Sequence, residues 1–297
     1  MSARPRRGAT VMPKLVEDAI NEIGNMQVLD GPASKAAGLV GRATRDAPVK
    51  DALSGTWLGH ALHPVLTDLP IGAWSMATVL DLTAGKSGTA AAQRLIGFGL
   101  LATVPTAATG ASDWADTYGP PQRVGLVHAV GNSAATVVQA SSWLVRRAGH
   151  HRAGAALSLL GLGIAAGAAY LGGHLSFVDG VGVSHTAFQE PASDWTEVVA
   201  LAELSENKLV RCEADGVPVV VVRHDGKVYA LSDTCTHAGG PLHEGKVTSD
   251  GCVQCPWHGS EFRLDDGEAV RGPASVHEPD WEVKVVSGRV HVRPVQV

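Results

Sequence analysis

Two short stretches of the chain carry the residue types that bind transition metals. The first reads Cys235-Thr-His237-Ala-Gly-Gly-Pro-Leu and the second Cys255-Pro-Trp-His258-Gly-Ser. The pattern is C-x-H, then seventeen intervening residues, then C-x-x-H. Thiolate and neutral imidazole are ligands for zinc and for iron alike. Zinc fingers usually place a pair of cysteines before a pair of histidines, whereas here each stretch joins one Cys to one His. That division suits a cluster with two unlike irons, one taking two thiolates and the other two imidazoles, each loop supplying one ligand to each iron. Such a centre moves one electron at a time. The Gly and Pro residues around the ligands let the backbone bend close and aim N–H groups at the sulfurs.

With these two loops, residues 195–297 strongly resemble the Rieske family. The resemblance implies a [2Fe–2S] cluster with Cys235 and Cys255 on one iron and His237 and His258 on the other, solvent-facing iron. High-potential members carry an extra Cys in each loop, joined as a disulfide. Gly240 and Trp257 stand at those places here. Those members also have a Tyr two residues past the Ser of the second loop, whereas Ser260 is followed here by Phe262. Fewer hydrogen bonds to a reduced cluster lower its potential, so the resemblance is to the ferredoxin-type or oxygenase-type branch. Cys212 and Cys252 are left over and read as reduced thiols, Cys252 on a buried strand.

The surrounding pattern is that of a small antiparallel β domain. From Trp195 onward apolar residues alternate and are β-branched. Val217–Arg223 and Val228–Leu231 flank His224-Asp225-Gly226-Lys227, and Trp281–Val286 and Arg289–Val292 flank Ser287-Gly288. Both are hairpin signals. Residues 179–194, with Gly180, Gly182 and Pro191, read as a linker.

The preceding part is of a different kind. At 297 residues the chain has room for two domains, and a mean hydropathy of +0.08 beside 18% charged residues points to long apolar runs. Four such runs lie within residues 56–178: Val65–Leu82, Leu95–Ala111, Val124–Val145 and Ala153–Val178. Each is near the roughly 20 residues that span a bilayer. The third and fourth show almost no polar stripe, and Gly163-x-x-x-Gly167 is a small-residue pair of the kind that packs membrane helices. The expected architecture is therefore multidomain: an N-terminal tail with one short amphipathic helix (1–55), a four-helix transmembrane bundle, and the all-β Rieske domain. Asp30-Gly31-Pro32 reads as the stop of the short helix, and Arg6-Arg7 lacks the apolar stretch that would make it an export signal.

The opening of the first run, Gly59-His60-Ala-Leu-His63-Pro64 with Pro70-Ile-Gly72 downstream, resembles four-helix bacterial membrane domains of unknown function, the DUF2231 type. Four alternating spans would bring His60, His63, His128 and His174 toward one face, with His128 and His174 each about 6 Å inside it. Ionisable residues within spans are functional candidates. The set admits three readings: haem b or another metal held by paired imidazoles, a quinone-type site, or capping of helix ends. Asp68 and Asp113 stand near the same face as candidates to orient imidazoles.

A net charge of −5 and an isoelectric point near 6.2, with no basic stripe, exclude a nucleic-acid footprint. The leading expectation is a membrane-anchored electron carrier that works with redox donor and acceptor proteins or a quinone. The alternatives are a ferredoxin component of an oxygenase system and a redox sensor. Lysine and arginine counts in the short loops favour one sidedness. The long N-terminal tail and the cluster domain favour the other, with the Rieske domain in the cytoplasm, and that is the expected orientation.

Overall fold

The apolar runs form helices and the alternating β-branched segments form strands, in that order along the chain. The computed structural model describes residues 11–190 and 193–295. Arg6-Arg7 of the tail and Pro191 of the linker lie outside the described residues. Among the described residues, seven α-helices come first: α1 (Val11–Asn25), α2 (Asp30–Ala43), α3 (Ala47–Ser54), α4 (Leu62–Thr83), α5 (Thr89–Trp114), α6 (Gly119–Arg147) and α7 (His151–Phe177). The expected helix count is therefore corrected, because three helices, α1 to α3, precede the four long ones where a single short helix was expected.

The misreading has a local cause. Asp30-Gly31-Pro32 does not stop a helix but opens α2. Pro32 falls in the first turn, where its missing N–H would have had no partner and its fixed φ suits a helix. Pro48 does the same at the start of α3. Arg123 of α6 then holds α1 and α2. It donates to the Gly24 carbonyl at 2.6 Å and to both carboxylate oxygens of Asp30 at 2.6 and 3.0 Å.

The chain divides into two compact units. One takes in the described residues up to Leu39 with Pro70–Leu101 and Thr117–Asp179. The other takes in Val40–Leu69, Ala102–Asp116 and the chain from Gly180 onward.

The long helices show the same contacts twice. The Trp74 indole of α4 lies on Gly99 of α5, and Gln139 of α6 lies on Gly161 of α7. A Cβ at Gly99 would meet the indole at 2.3 Å, so only glycine fits there. His63 Nδ1 donates to the Thr106 carbonyl at 3.0 Å with Gly110 against its ring. His128 Nδ1 donates to the Ala168 carbonyl at 2.7 Å with Gly172 against its ring. Each contact falls at the same spacing in the α4–α5 pair as in the α6–α7 pair.

Among the described residues, two helical stretches are long and apolar enough to cross a membrane, Gly85–Trp114 and His151–Phe177. The third run does have a polar stripe, and it is buried: Gln139, Ser142 and Arg146 point inward on α6, while Val130, Val137 and Leu144 are exposed.

Ten strands follow. Strands β1 (Thr196–Ala200), β2 (Val210–Ala214), β3 (Val217–His224), β4 (Lys227–Ser232), β9 (Asp280–Val286) and β10 (Arg289–Pro294) form one sheet in the order β1-β10-β9-β4-β3-β2. Strands β5 (Lys246–Val247), β6 (Cys252–Gln254), β7 (Glu261–Arg263) and β8 (Ala269–Arg271) form the second in sequence order. The two foreseen hairpins are β3–β4 and β9–β10. Their turn residues, Asp225-Gly226 and Ser287-Gly288, all have positive φ, as two-residue primed turns require. The valine run of β3 is buried on both faces. Val219 and Val221 enter one core, and Val220 and Val222 enter the other, which also holds Cys235, Cys255 and Phe262.

Candidate metal centre

Two loops of one design carry the four candidate ligands. The first leaves the sheet after β4, and the second joins β6 to β7. In the first, the Cys235 N–H donates to the Gly240 carbonyl and the Gly239 N–H donates back to the Cys235 carbonyl, both at 2.9 Å. In the second, the Cys255 N–H donates to the Ser260 carbonyl at 2.8 Å and the Gly259 N–H donates to the Cys255 carbonyl at 3.2 Å. Gly239 and Gly259 both have φ of +77°, the left-handed conformation that the tight return demands. The loops press together at Gly240, where a Cβ would lie 3.0 Å from Cys255 Sγ and 3.1 Å from the Trp257 ring.

This geometry brings all four side chains to one place. The Cys235 and Cys255 thiols share a hydrogen bond, which pushes Cys235 up and pulls Cys255 down to about 6. The His237 and His258 rings meet edge to face with centroids 4.8 Å apart. Burial pushes His237 down to about 3, reinforced by His258, Lys50 and His185, and burial also lowers His258. Both imidazoles are thus kept neutral, the form that binds a metal. His237 Nδ1 is buried and has no hydrogen-bond partner among the described residues. A buried imidazole nitrogen without a partner is costly unless it has a ligand to bind. Two thiols and two imidazoles on matched loops fit a two-iron cluster of unlike irons.

Several supports were not legible in the sequence. Glu278 is fully buried, and its Oε2 accepts the Thr236 N–H at 3.0 Å between two ligands of the first loop. Burial pushes its carboxyl well above the usual range. Asp233 accepts from the His243 N–H at 2.7 Å and from His243 Nδ1 at 2.6 Å, shaping the end of β4. The Ser260 hydroxyl accepts the Ala274 N–H at 2.9 Å, while Phe262 is completely buried against the cysteines. The acid nearest an imidazole ligand is Asp116, whose Oδ2 lies 3.9 Å from His237 Nε2. Of the acids expected to orient imidazoles, Asp68 is exposed.

The helix histidines are placed differently. His60 is exposed, with Nδ1 3.0 Å from the Ala61 carbonyl. His63 and His128 are held by the carbonyl bonds described above, and the Asn132 amide nitrogen lies 3.2 Å from His128 Nε2. His174 Nε2 is 3.8 Å from Asp179. Glu206, His224 and Asp225 also form a close group of three metal-binding side chains, and none of the helix histidines belongs to it.

The paired Cys-His loops on a two-sheet scaffold are of the kind that suits an electron-transfer domain. Residues 194–287 match the Rieske [2Fe-2S] domain, and residues 59–185 match the predicted membrane protein family DUF2231. Ferredoxin CarAc of Metapseudomonas resinovorans is 33% identical over 33% of this chain and 92% of its own length. The anthranilate 1,2-dioxygenase ferredoxin subunit of Burkholderia cepacia is 29% identical over 34% of this chain and 92% of its own. The solved ferredoxin of carbazole 1,9a-dioxygenase from Nocardioides aromaticivorans IC177 aligns with 35% of this chain and 100% of its own, at 28% identity and a TM-score of 0.33. The chain belongs to the Rieske [2Fe–2S] family, with a DUF2231 domain preceding the Rieske domain. The Rieske domain implies a [2Fe–2S] cluster, whose chemistry is one-electron transfer.

Proposed function

We propose that this protein is a membrane-anchored Rieske electron carrier. Cys235 and Cys255 hold one iron of the cluster, and His237 and His258 hold the other. The observation that carries this reading is the convergence of the two matched loops on a thiol pair and an imidazole pair. Membrane anchoring rests on the helices' inverted pattern. Leu82, Leu101, Val104, Val137 and Leu144 are more than half exposed, while Gln139, Ser142 and Arg146 are buried. Water penalises a large apolar surface, whereas a bilayer requires one. The helices cross the membrane several times, and the Rieske domain lies in the cytoplasm.

Within the helices, His63 and His128 are, each in its own helix pair, the first choice of ligand for a second redox group, haem b, with His174 and His60 next. The supporting feature is the Nδ1 bond of His63 and of His128 to a backbone carbonyl, which sets the tautomer so that Nε2 is the nitrogen able to ligate a metal. At His128, a metal would replace the Asn132 contact. A quinone at this level is the competing reading. The external partners are redox proteins, and the likeness to dioxygenase ferredoxins favours an oxygenase system among them.

Visible and EPR spectra of the detergent-purified protein test both centres. A Rieske EPR signal is expected, together with a Soret band. Absence of the EPR signal overturns the cluster assignment, and absence of the Soret band overturns the haem. A C-terminal fusion that is fluorescent with GFP and inactive with alkaline phosphatase is expected for a cytoplasmic Rieske domain, and the reverse pattern overturns that orientation.

A further inference from the structure

The imidazole pair is not bare. The turn after α5 brings Asp116 to the edge of His237. Its carboxylate Oδ2 lies 3.9 Å from His237 Nε2, and its charge acts on His258 as well. Asp116 is itself held: Lys50 Nζ of α3 sits 2.7 Å from Oδ2 and donates to the Ser112 carbonyl at 2.9 Å and the Ser112 hydroxyl at 3.1 Å. The assembly is largely out of water, with the side chains of Lys50, His237 and Asp116 only 12%, 18% and 19% exposed. Two further bonds fix the same chain segment against the loop beside the cluster ligands. Asp51 Oδ1 accepts the Gly272 N–H at 2.7 Å, and the Thr56 hydroxyl donates to the Ala274 carbonyl at 3.0 Å.

Ring chemistry gives this arrangement a direction. With Nδ1 of His237 the buried nitrogen open to iron, Nε2 carries the proton and faces Asp116. A separation of 3.9 Å exceeds a hydrogen bond but is well within electrostatic range at low exposure. A fixed negative charge there favours the more positive, oxidised state of the centre, and outer partners of this kind tune a metal by orienting its ligands. The Lys50 ammonium works the other way and opposes part of that charge.

We propose that Asp116 is a positioning residue for the ligand His237 and that the Lys50–Asp116 pair sets the cluster potential through the imidazole ligands. The proposal rests on the cluster reading above. It predicts opposite signs for two substitutions, which a merely structural role would not produce. Asp116→Asn removes the negative charge and should raise the midpoint potential, by the equivalent of about a tenfold change in the reduced-to-oxidised ratio. Lys50→Gln leaves the negative charge unopposed and should lower it.

The experiment is an EPR-monitored redox titration of the full-length protein in detergent, with wild type, Asp116→Asn, Asp116→Glu and Lys50→Gln. Asp116→Glu keeps the charge and should stay near the wild-type potential. If Asp116→Asn loses its cluster, the opposite displacements expected of Lys50→Gln and Asp116→Asn reduce to one, and a lowered potential in Lys50→Gln beside an unshifted Asp116→Glu still supports the proposal. Unchanged potentials, or shifts of the same sign in Asp116→Asn and Lys50→Gln, overturn it. A wild-type protein without a Rieske signal would instead refute the cluster reading, so the two failures are distinct.

Discussion

Arg146 and Asp81 meet in a two-point pair, Arg146 Nη1 donating to Asp81 Oδ1 at 2.8 Å and Nη2 donating to Oδ2. They occupy matching places in the two helical pairs, each at the same distance along the chain from its carbonyl-bound histidine. The Arg146 side chain is wholly buried and that of Asp81 nearly so. Arg146 also lies against Gly154, where any Cβ would collide with its stem.

Breaking this pair on one side should be severe. Arg146→Met leaves a carboxylate with no counter-charge in a dry site, which costs about 3–5 kcal/mol. Removing both partners, as Arg146→Met with Asp81→Leu, should recover most of the loss. Thermal unfolding in detergent reads the difference, and equal melting temperatures for the single variant and wild type would contradict it.

The cysteines are expected to be indispensable to the cluster. Cys235→Ser or Cys255→Ser substitutes a harder oxygen for a thiolate and should abolish the Rieske EPR signal while the β domain stays folded. A normal signal in either variant would sink the ligand assignment.

The potential should fall in the lower part of the Rieske range of roughly −150 to +300 mV. Phe262 presents no hydroxyl to the buried thiol pair beside it. Phe262→Tyr would supply a donor and should move the midpoint upward. A wild-type value above roughly +200 mV, or a downward shift in the variant, would contradict this account.

Glu278 gives a pH signature. Burial holds its folded pKa well above the ordinary 4.5, so above that value the folded chain binds more protons than the unfolded one. Stability from this group is full at low pH and declines as pH rises from about 4.5 through the raised folded value. Glu278→Gln keeps an acceptor for the Thr236 N–H and removes the ionisation. Its melting temperature relative to wild type should therefore climb between pH 5 and pH 8, and a constant difference would show that the carboxyl does not titrate in that way.

The features legible in the sequence were those encoded within a few neighbouring residues. Asp225-Gly226 and Ser287-Gly288 announce their hairpins because positive φ is needed at fixed places. The Cys-His loops announce themselves by spacing. The tail did not, since Pro32 can end one helix or begin another, and the contacts of Arg123 with Gly24 and Asp30 that favour the second are distant in sequence. Asp116 and Lys50 were illegible for the same reason: they reach His237 through the tertiary fold alone. The buried stripe of α6 was hidden because Gln139, Ser142 and Arg146 are dispersed among small residues, and their significance lies in which way they face.

The contact between Gly240 and Trp257 has a bearing on where such a domain can work. In the high-potential relatives a covalent staple joins these places, and a staple of sulfur answers to the thiol chemistry of its surroundings. Here the loops are joined by an indole lying on a bare backbone, and none of the four cysteines is in a disulfide. Van der Waals contact has no reduction potential. The contact that joins the loops is therefore indifferent to thiol–disulfide exchange, and a reducing buffer is expected to leave it in place.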